Sequence, residues 1–506
     1  MPHARRIATV ALKVASDKTE ARRLQRLAEQ GQLRRIHSGI YTTDLDSPLE
    51  AATRRHLNEI CALIMPGCIV SHRSAFEHRP TAGGQYFLTG PYRRDVQLPG
   101  VKLRFAQGPG PTDSDIKLPF PGEDAFISSQ ARALLENLTF SRGNPAERRT
   151  LGTALVEEWL ERFISRDIGN EVNKLRDTAR SLAEPLGLVE ECKKLDAMIG
   201  ALLGTRSAKL VTPAAIARAA RRPYDDDRLK LFESLAAELQ QNPLLVPPAD
   251  PNADSELQAF IETYFSNFIE GTEFDIEVAH DIVIQGRPIE YREDDSHDIL
   301  GTYRAILNSK RDPSIPQTAE AFVAQIKDWN RRVIESRREK APGKFKTELN
   351  RAGQTVFVHP EKVLGTLIKG YEIIMAAATP ANRSALAMFI IAEVHPFSDG
   401  NGRTARIAMN HFLTNAGLTR IIIPTIFRDD YIGALKAMSN NHPLPLPRML
   451  TYASRFSRWL DMSSKANCFE ALQRSNAMQE DQKQFRLSFD DSSLYLMSLP
   501  LDPISG

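Results

Sequence analysis

His395-Pro396-Phe397-Ser398-Asp399-Gly400-Asn401-Gly402-Arg403-Thr404-Ala405-Arg406 is the stretch around which the chain is organised. Gly400, Asn401 and Gly402 form a turn-prone run, in which a missing Cβ lets backbone N–H groups close on a ligand. The residues that follow, Arg403 to Met409, are good helix formers with no breaker, so the loop is expected to become a helix at Gly-Asn-Gly. Such an N-terminus offers unpaired N–H groups and the positive end of a dipole, which together make an anion site. Arg403 and Arg406 are three residues apart, hence on one helix face. Two guanidiniums on one face suit a polyphosphate, because each can fork two oxygens. Asp399 supplies a hard oxygen for Mg²⁺, an ion that takes one or two carboxylates beside substrate phosphates. His395 titrates near neutral pH and is placed to take a proton from an attacking hydroxyl. Each feature alone is commonplace: a loop, a turn, a solvated arginine pair. Together they make a phosphate cradle, a metal ligand and a base, the parts of a nucleotidyl or phosphoryl transfer.

At its nine defined positions the stretch resembles the signature of the Fic family, H-P-F-x-[D/E]-G-N-G-R-x-x-R. The resemblance implies an α-helical enzyme that moves AMP from ATP, with Mg²⁺, onto a Ser, Thr or Tyr hydroxyl of a target protein. It makes His395 the general base, Phe397 a core anchor of the loop and Asp399 the Mg²⁺ ligand. Gly400, Asn401 and Gly402 become the anion hole for the α- and β-phosphates, with Arg403 and Arg406 clamping the β- and γ-phosphates. A branch of the family that phosphorylates its targets has lysine where this chain has Gly402, which favours AMP transfer here.

Ser266-Asn267-Phe268-Ile269-Glu270-Gly271 resembles the Fic inhibitory motif, [S/T]-x-x-x-E-[G/N], placed N-terminal to the core. The resemblance pairs Glu270 with Arg406, with Ser266 and Gly271 completing the motif. A carboxylate there would occupy a γ-phosphate position and repel the phosphate. Taken alone, Glu270 is an acid on a helix surface. Gly343 to Lys346 and Asn350 to Val358 read as a short hairpin. It resembles the family flap, whose edge holds the target by strand addition, although many relatives have arginine where this chain has Lys346. Asp430 to Leu435 resembles the helix lining the adenine side, which makes Tyr431 either a base contact or a core tyrosine.

The chain has 506 residues, enough for two to four domains, with 42% apolar and 25% charged residues. Its net charge of +2 gives no global case for nucleic-acid binding. Cys61, Cys68, Cys192 and Cys468 are too scattered for a disulfide framework or a zinc site. Met1 to Arg6 is basic but no long apolar run follows, so no signal peptide is expected, and no stretch is apolar enough for a membrane span. The expected compartment is cytoplasmic.

Residues 1–45 form a basic module, with Lys13, Arg22, Arg23, Arg26, Arg34 and Arg35 among its cations. A helix over Glu20 to Gln30 and a hairpin over Leu33 to Thr42 match the ending of a winged helix. Residues 46–140 read as a small α/β domain: a helix from Pro48 to Leu63, strands near Ile69, Gln85 and Val101, and a helix opening at Phe126 with Ser128 or Ser129 as its cap. The elements G-x-L-x-R-I-x-x-G-I-Y, S-H-R-S-A and S-S-x-A-R-A-L-L-E-N resemble abortive-infection antitoxins of the AbiEi type. That resemblance implies a transcriptional repressor and DNA contact through residues 1–140. His72 and Arg73 are read as structural or as contacts. Residues 145–245 are a helical connecting region, residues 256–460 the Fic domain and residues 467–506 a C-terminal tail or accessory helix, with an apolar end at Leu494 to Leu501.

The expected fold is therefore multidomain: a winged helix and a small α/β domain, then a mainly α-helical Fic domain with a β-hairpin flap. The expected function is an autoinhibited protein adenylyltransferase acting on a target protein or on itself. The alternatives are de-AMPylation with Glu270 as a base for water, transfer of another group such as UMP, and a DNA-binding regulator.

Overall fold

The computed structural model describes residues 11–120, 124–166 and 170–490. Met1 to Arg6 and Leu494 to Leu501, which carried two of the expectations above, lie outside the described residues. The chain divides into two compact units, Met1–Arg221 and Arg222–Gly506.

In the first unit, strands β1 (Leu12–Val14), β2 (Arg34–His37) and β3 (Ile40–Thr42) make a sheet in the order β1-β3-β2 beside one helix, Lys18–Glu29. Asp17 caps that helix by accepting from the N–H groups of Thr19 and Glu20. Leu24 packs with Leu33 and Tyr41, while Arg22, Arg23 and Arg26 are exposed. The expected hairpin is present, and the described part of residues 1–45 contains this single helix.

Six further strands follow: β4 (Cys68–Val70), β5 (Gln85–Gly90), β6 (Arg94–Leu98), β7 (Val101–Gln107), β8 (Ile116–Lys117) and β9 (Ala125–Ile127). They form one sheet in the order β6-β7-β5-β4-β9-β8, with β4 parallel to β9 and β5 parallel to β7. Phe126 therefore lies in a strand and does not open a helix. The helix begins at Gln130, and Ser129 caps it by accepting from the Arg132 N–H. The helix expected from Pro48 to Leu63 is two, Leu49–Arg55 and Leu57–Ile64, separated at His56. Arg132 is buried, and both Asp115 (2.7 Å) and Glu136 (2.8 Å) neutralise it. Helices Thr153–Ile164, Glu171–Ala183, Val189–Leu202 and Pro213–Ala219 complete the unit. The division at Arg221 thus runs through the stretch expected to be one connecting region over 145–245, and the next helix, Asp226–Gln241, packs into the core of the second unit through Phe232, Leu235 and Leu239.

Among its described residues the second unit is helical apart from one hairpin, β10 (Arg351–Ala352) with β11 (Thr355–Val356). Its centre is the helix Pro380–Val394, apolar on nearly every side from Ala385 to Ile391, as a helix surrounded by others must be. Against it pack Asn401–Asn415, Val363–Ala376 and Asp226–Gln241. A second cluster joins Phe260, Ile261 and Phe265 of helix Ser255–Ile269 to Cys468, Leu472, Ala477 and Leu487. Residues 467–490 are therefore packed against the unit through helix Lys465–Arg474 and the segment after it. The four cysteines are free and buried. Among the described residues, no helix is long and apolar enough to cross a membrane.

Candidate active site

The central helix ends at His395, whose backbone turns left-handed (φ +50°) while its N–H still donates to the Ile391 carbonyl at 3.0 Å. A non-glycine residue in this conformation persists only when its surroundings hold it. Here the hold comes from the loop that follows. Phe397 is fully buried. The Asn401 side chain closes the loop from both sides, its Nδ2 donating to the Phe397 carbonyl (2.9 Å) and its Oδ1 accepting from the Phe397 N–H (2.8 Å). Asn350 Nδ2 donates to the same carbonyl at 3.1 Å, and Asn330 Nδ2 donates to the Asp399 carbonyl at 2.8 Å. The Asn401 side chain is thus engaged in closing the loop, and its backbone N–H remains at the start of the helix.

Gly400 is the N-cap of helix Asn401–Asn415 at φ +74°, and that helix has no side-chain cap. No cap side chain accepts from the first N–H groups of the helix, the arrangement that suits an anion. A Cβ at Gly400 would also lie 3.0 Å from Ile334 Cγ2 and 3.1 Å from Asn330 Nδ2. Gly400→Ala is expected to cost about 1–2 kcal/mol of stability from the backbone alone, read as a lowered midpoint in chemical denaturation with an unchanged slope.

His395 stacks face to face on Phe357, with ring centroids 3.9 Å apart and 10° between planes. Its Nδ1 lies 3.2 Å from the Ala392 carbonyl. That carbonyl can only accept, so Nδ1 carries the hydrogen and Nε2 the lone pair. Burial pushes the imidazole down to about 4, with Lys346 adding to the effect and the Ala392 carbonyl opposing it. Lys346 is itself buried, and its ammonium, pushed down to about 8 by burial, donates to Asn350 Oδ1 at 2.6 Å.

Both signature arginines are buried and already engaged. Arg406 Nη2 meets Glu270 Oε1 at 2.6 Å and the Ser266 carbonyl at 2.8 Å, and its Nε donates to Ser266 Oγ at 3.0 Å. Glu270 ends the helix Ser255–Ile269, which is how a residue so distant in sequence reaches the loop. Its carboxylate lies against the first turn of the signature helix, where an added Cβ at Gly402 would collide with it. Burial alone would raise the Glu270 carboxyl, but Arg406 and then Arg403 override it and hold it below its ordinary value. Gly271 follows at φ +93°, the left-handed turn that glycine favours. Arg403 Nη1 pairs with Asp298 at 2.8 Å and donates to Asn267 Oδ1 at 3.3 Å. Its Nε is buried with no acceptor among the described residues, an unmet donor in the first turn of the helix.

Asp399 Oδ1 accepts from the Gly400 N–H and lies 3.5 Å from Arg403 Nη2, while the side chain is 32% exposed. That suits an ion needing one protein carboxylate and several phosphate or water oxygens. Among the described residues no group of three or more His, Cys, Asp or Glu side chains could hold a metal by itself.

The fold therefore brings together His395, Asp399, Gly400, Gly402, Arg403, Arg406, Ser266 and Glu270. Tyr431 lies beside this set: the residue is 2% exposed, its hydroxyl faces Met388 Sδ at 3.6 Å, and the Arg406 guanidinium lies 5.7 Å from its ring. Asn267 and Asp298, which hold Arg403, and Arg337, which pairs with Asp298 at 2.7 Å, were missed. Asn267 lay inside the quoted inhibitory motif at a position the motif leaves undefined, which was the one available signal.

Among known proteins, the chain is 27% identical over 203 residues to protein adenylyltransferase fic-1 of Caenorhabditis briggsae, covering 39% of this chain and 40% of that protein. It is 29% identical over 199 residues to protein adenylyltransferase Fic of Drosophila willistoni, covering 38% and 39%. The chain thus spans about two fifths of the length of the curated relatives it matches. A Fic-domain-containing signaling protein from Bacteroides thetaiotaomicron aligns in structure over 51% of this chain and 99% of its own, with a TM-score of 0.36 and 18% identity. Residues 321–413, from the helix Ala319–Val333 to Leu413 of the signature helix, match the model of the Fic/DOC family.

Proposed function

We propose that this chain is a protein adenylyltransferase that transfers AMP from ATP to a Ser, Thr or Tyr hydroxyl of a target protein, and that Glu270 holds it inactive. The observation that carries the reading is the Glu270–Arg406 pair at 2.6 Å on a loop whose base, His395, is neutral and keeps a free lone pair at Nε2. Similarity to proteins named adenylyltransferases and glycine at position 402 support it.

In the transfer, His395 Nε2 accepts the hydroxyl proton as the oxygen bonds to the α-phosphorus. The bond from that phosphorus to the bridging oxygen breaks, and pyrophosphate leaves. The N–H groups at the start of helix Asn401–Asn415 and the guanidiniums of Arg403 and Arg406 offset charge on the phosphates. Asp399 would hold Mg²⁺ together with the nucleotide, and the ion would neutralise phosphate charge. While Glu270 occupies Arg406, the γ-phosphate meets a carboxylate in place of a guanidinium, so ATP cannot sit productively.

The imidazole sets the pH dependence. Burial disfavours its charged form, so the base stays neutral well below the ordinary histidine range. In the Glu270→Gly variant, transfer is expected to be flat from about pH 8 to about pH 5 and to fall as pH approaches 4. A midpoint near the unperturbed histidine value would contradict a buried base.

A second reading concerns the N-terminal unit. Arg22, Arg23 and Arg26 lie exposed on one short helix, where Glu20 faces Arg23. This supports phosphate contacts to duplex DNA, in line with the antitoxin-like elements and the expected winged helix. A mobility shift of duplex DNA by the full chain, lost in Arg22→Ala/Arg26→Ala and weakening steeply with salt, is the expected result.

A further inference from the structure

Asp298, on helix Glu293–Arg311, is 1% exposed and belongs to neither motif. Its carboxylate is shared by two arginines. Oδ2 accepts from Arg403 Nη1 at 2.8 Å and from Arg337 Nη2 at 2.7 Å, and Oδ1 accepts from Arg337 Nε at 3.0 Å. Arg337 therefore grips Asp298 with its whole Nε/Nη2 edge, which fixes the plane of the carboxylate. The carboxylate in turn fixes Nη1 of Arg403, aided by Asn267 Oδ1 at 3.3 Å.

The consequence lies on the other edge of Arg403. Nε and Nη2 of a guanidinium point along one edge, the one that grips two oxygens of a phosphate. In Arg403, Nε has no acceptor among the described residues and Nη2 has only the long 3.5 Å contact with Asp399. The anchored side is thus saturated and the fork edge is left open. We propose that Asp298, oriented by Arg337, is a positioning residue that presents the Nε/Nη2 edge of Arg403 to the β- or γ-phosphate of the nucleotide. This rests on the reading above that Arg403 takes a nucleotide phosphate. Without the anchor, Arg403 is a flexible buried cation whose fork has to be ordered on binding.

The test is calorimetric binding of ATP with Mg²⁺ and of AMP to the full chain in the Glu270→Gly background, for Arg337→Met, Asp298→Asn and Arg403→Ala. The Arg337 side chain is 23% exposed, so Arg337→Met decides the question if Asp298→Asn fails to fold. The expected result is ATP binding weakened about ten- to a hundredfold in Arg337→Met, the range seen when the partner that orients a ligating group is removed. AMP, which lacks the β- and γ-phosphates, should bind as in the parent. ATP binding that falls in Arg403→Ala but is unchanged in Arg337→Met overturns this inference and leaves the proposed function standing. Equal loss of ATP and AMP in Arg337→Met marks a purely structural role and also overturns it. ATP binding unchanged in Arg403→Ala removes the phosphate role of Arg403, and this inference with it.

Discussion

Replacing His395 by alanine in the Glu270→Gly background is expected to lower AMP transfer about 10²- to 10⁴-fold, the usual worth of a placed base. The structure gives the residue little other work. Its ring touches Phe357 and the Ala392 carbonyl, and it bonds neither to an arginine nor to the N–H groups at the head of the signature helix. ATP affinity should therefore be unchanged while the turnover number collapses, the pattern of an interaction made in the transition state. The loop should keep its shape, because Asn401, Asn350 and Asn330 hold its backbone independently of the imidazole. A variant that binds ATP normally and transfers at the parental rate removes His395 from the chemistry.

Glu270→Gly is expected to raise transfer on the order of ten- to a hundredfold, the span of a typical coupling free energy between competing occupants. In the proposed function the carboxylate and a γ-phosphate compete for one guanidinium, so the pair would have to break before ATP binds productively. The surroundings favour the pair: Arg406 and Arg403 hold Glu270 ionised despite its burial. Once it is gone, Arg406 keeps Ser266 Oγ and the Ser266 carbonyl, at 3.0 and 2.8 Å, and so stays placed for phosphate. The fold should lose some stability, because a buried guanidinium loses its counter-charge, and the two Ser266 acceptors offset only part of that loss. The rate of label incorporation under saturating ATP checks this. Equal rates in wild type and Glu270→Gly would show that the pair does not limit transfer.

Much of this site was legible because its parts are contiguous. The twelve residues from His395 carry the proposed base, the proposed metal oxygen, the helix start and both arginines, and a helix N-terminus follows from local propensity alone. The Glu270–Arg406 contact was legible through resemblance to a motif, since nothing local ties two positions 136 residues apart. Asp298 and Arg337 had no such signal: a carboxylate that will neutralise a buried arginine looks like any surface acid until the helices are packed. Asn401 shows a different limit. The resemblance assigned it to an anion hole, and the two bonds from its side chain to Phe397 became visible only in the structure. Phe126-Ile127 was read as helix because a good cap and helix formers follow it. Pairing with β4 and β8 makes it a strand, a case of tertiary contacts overriding local preference. Tyr431 was left between two roles, since a buried tyrosine beside Met388 and Arg406 is compatible with either.

The most direct test of the account is incubation of the full chain with ATP labelled at the α- or at the γ-phosphate, comparing wild type, Glu270→Gly and Glu270→Gly/His395→Ala, with incorporation into the chain itself and into added lysate protein as the readout. The account predicts label from the α position only, weak in wild type, strong in Glu270→Gly and lost in the double variant. Label from the γ position, or equal α label in all three proteins, would contradict it.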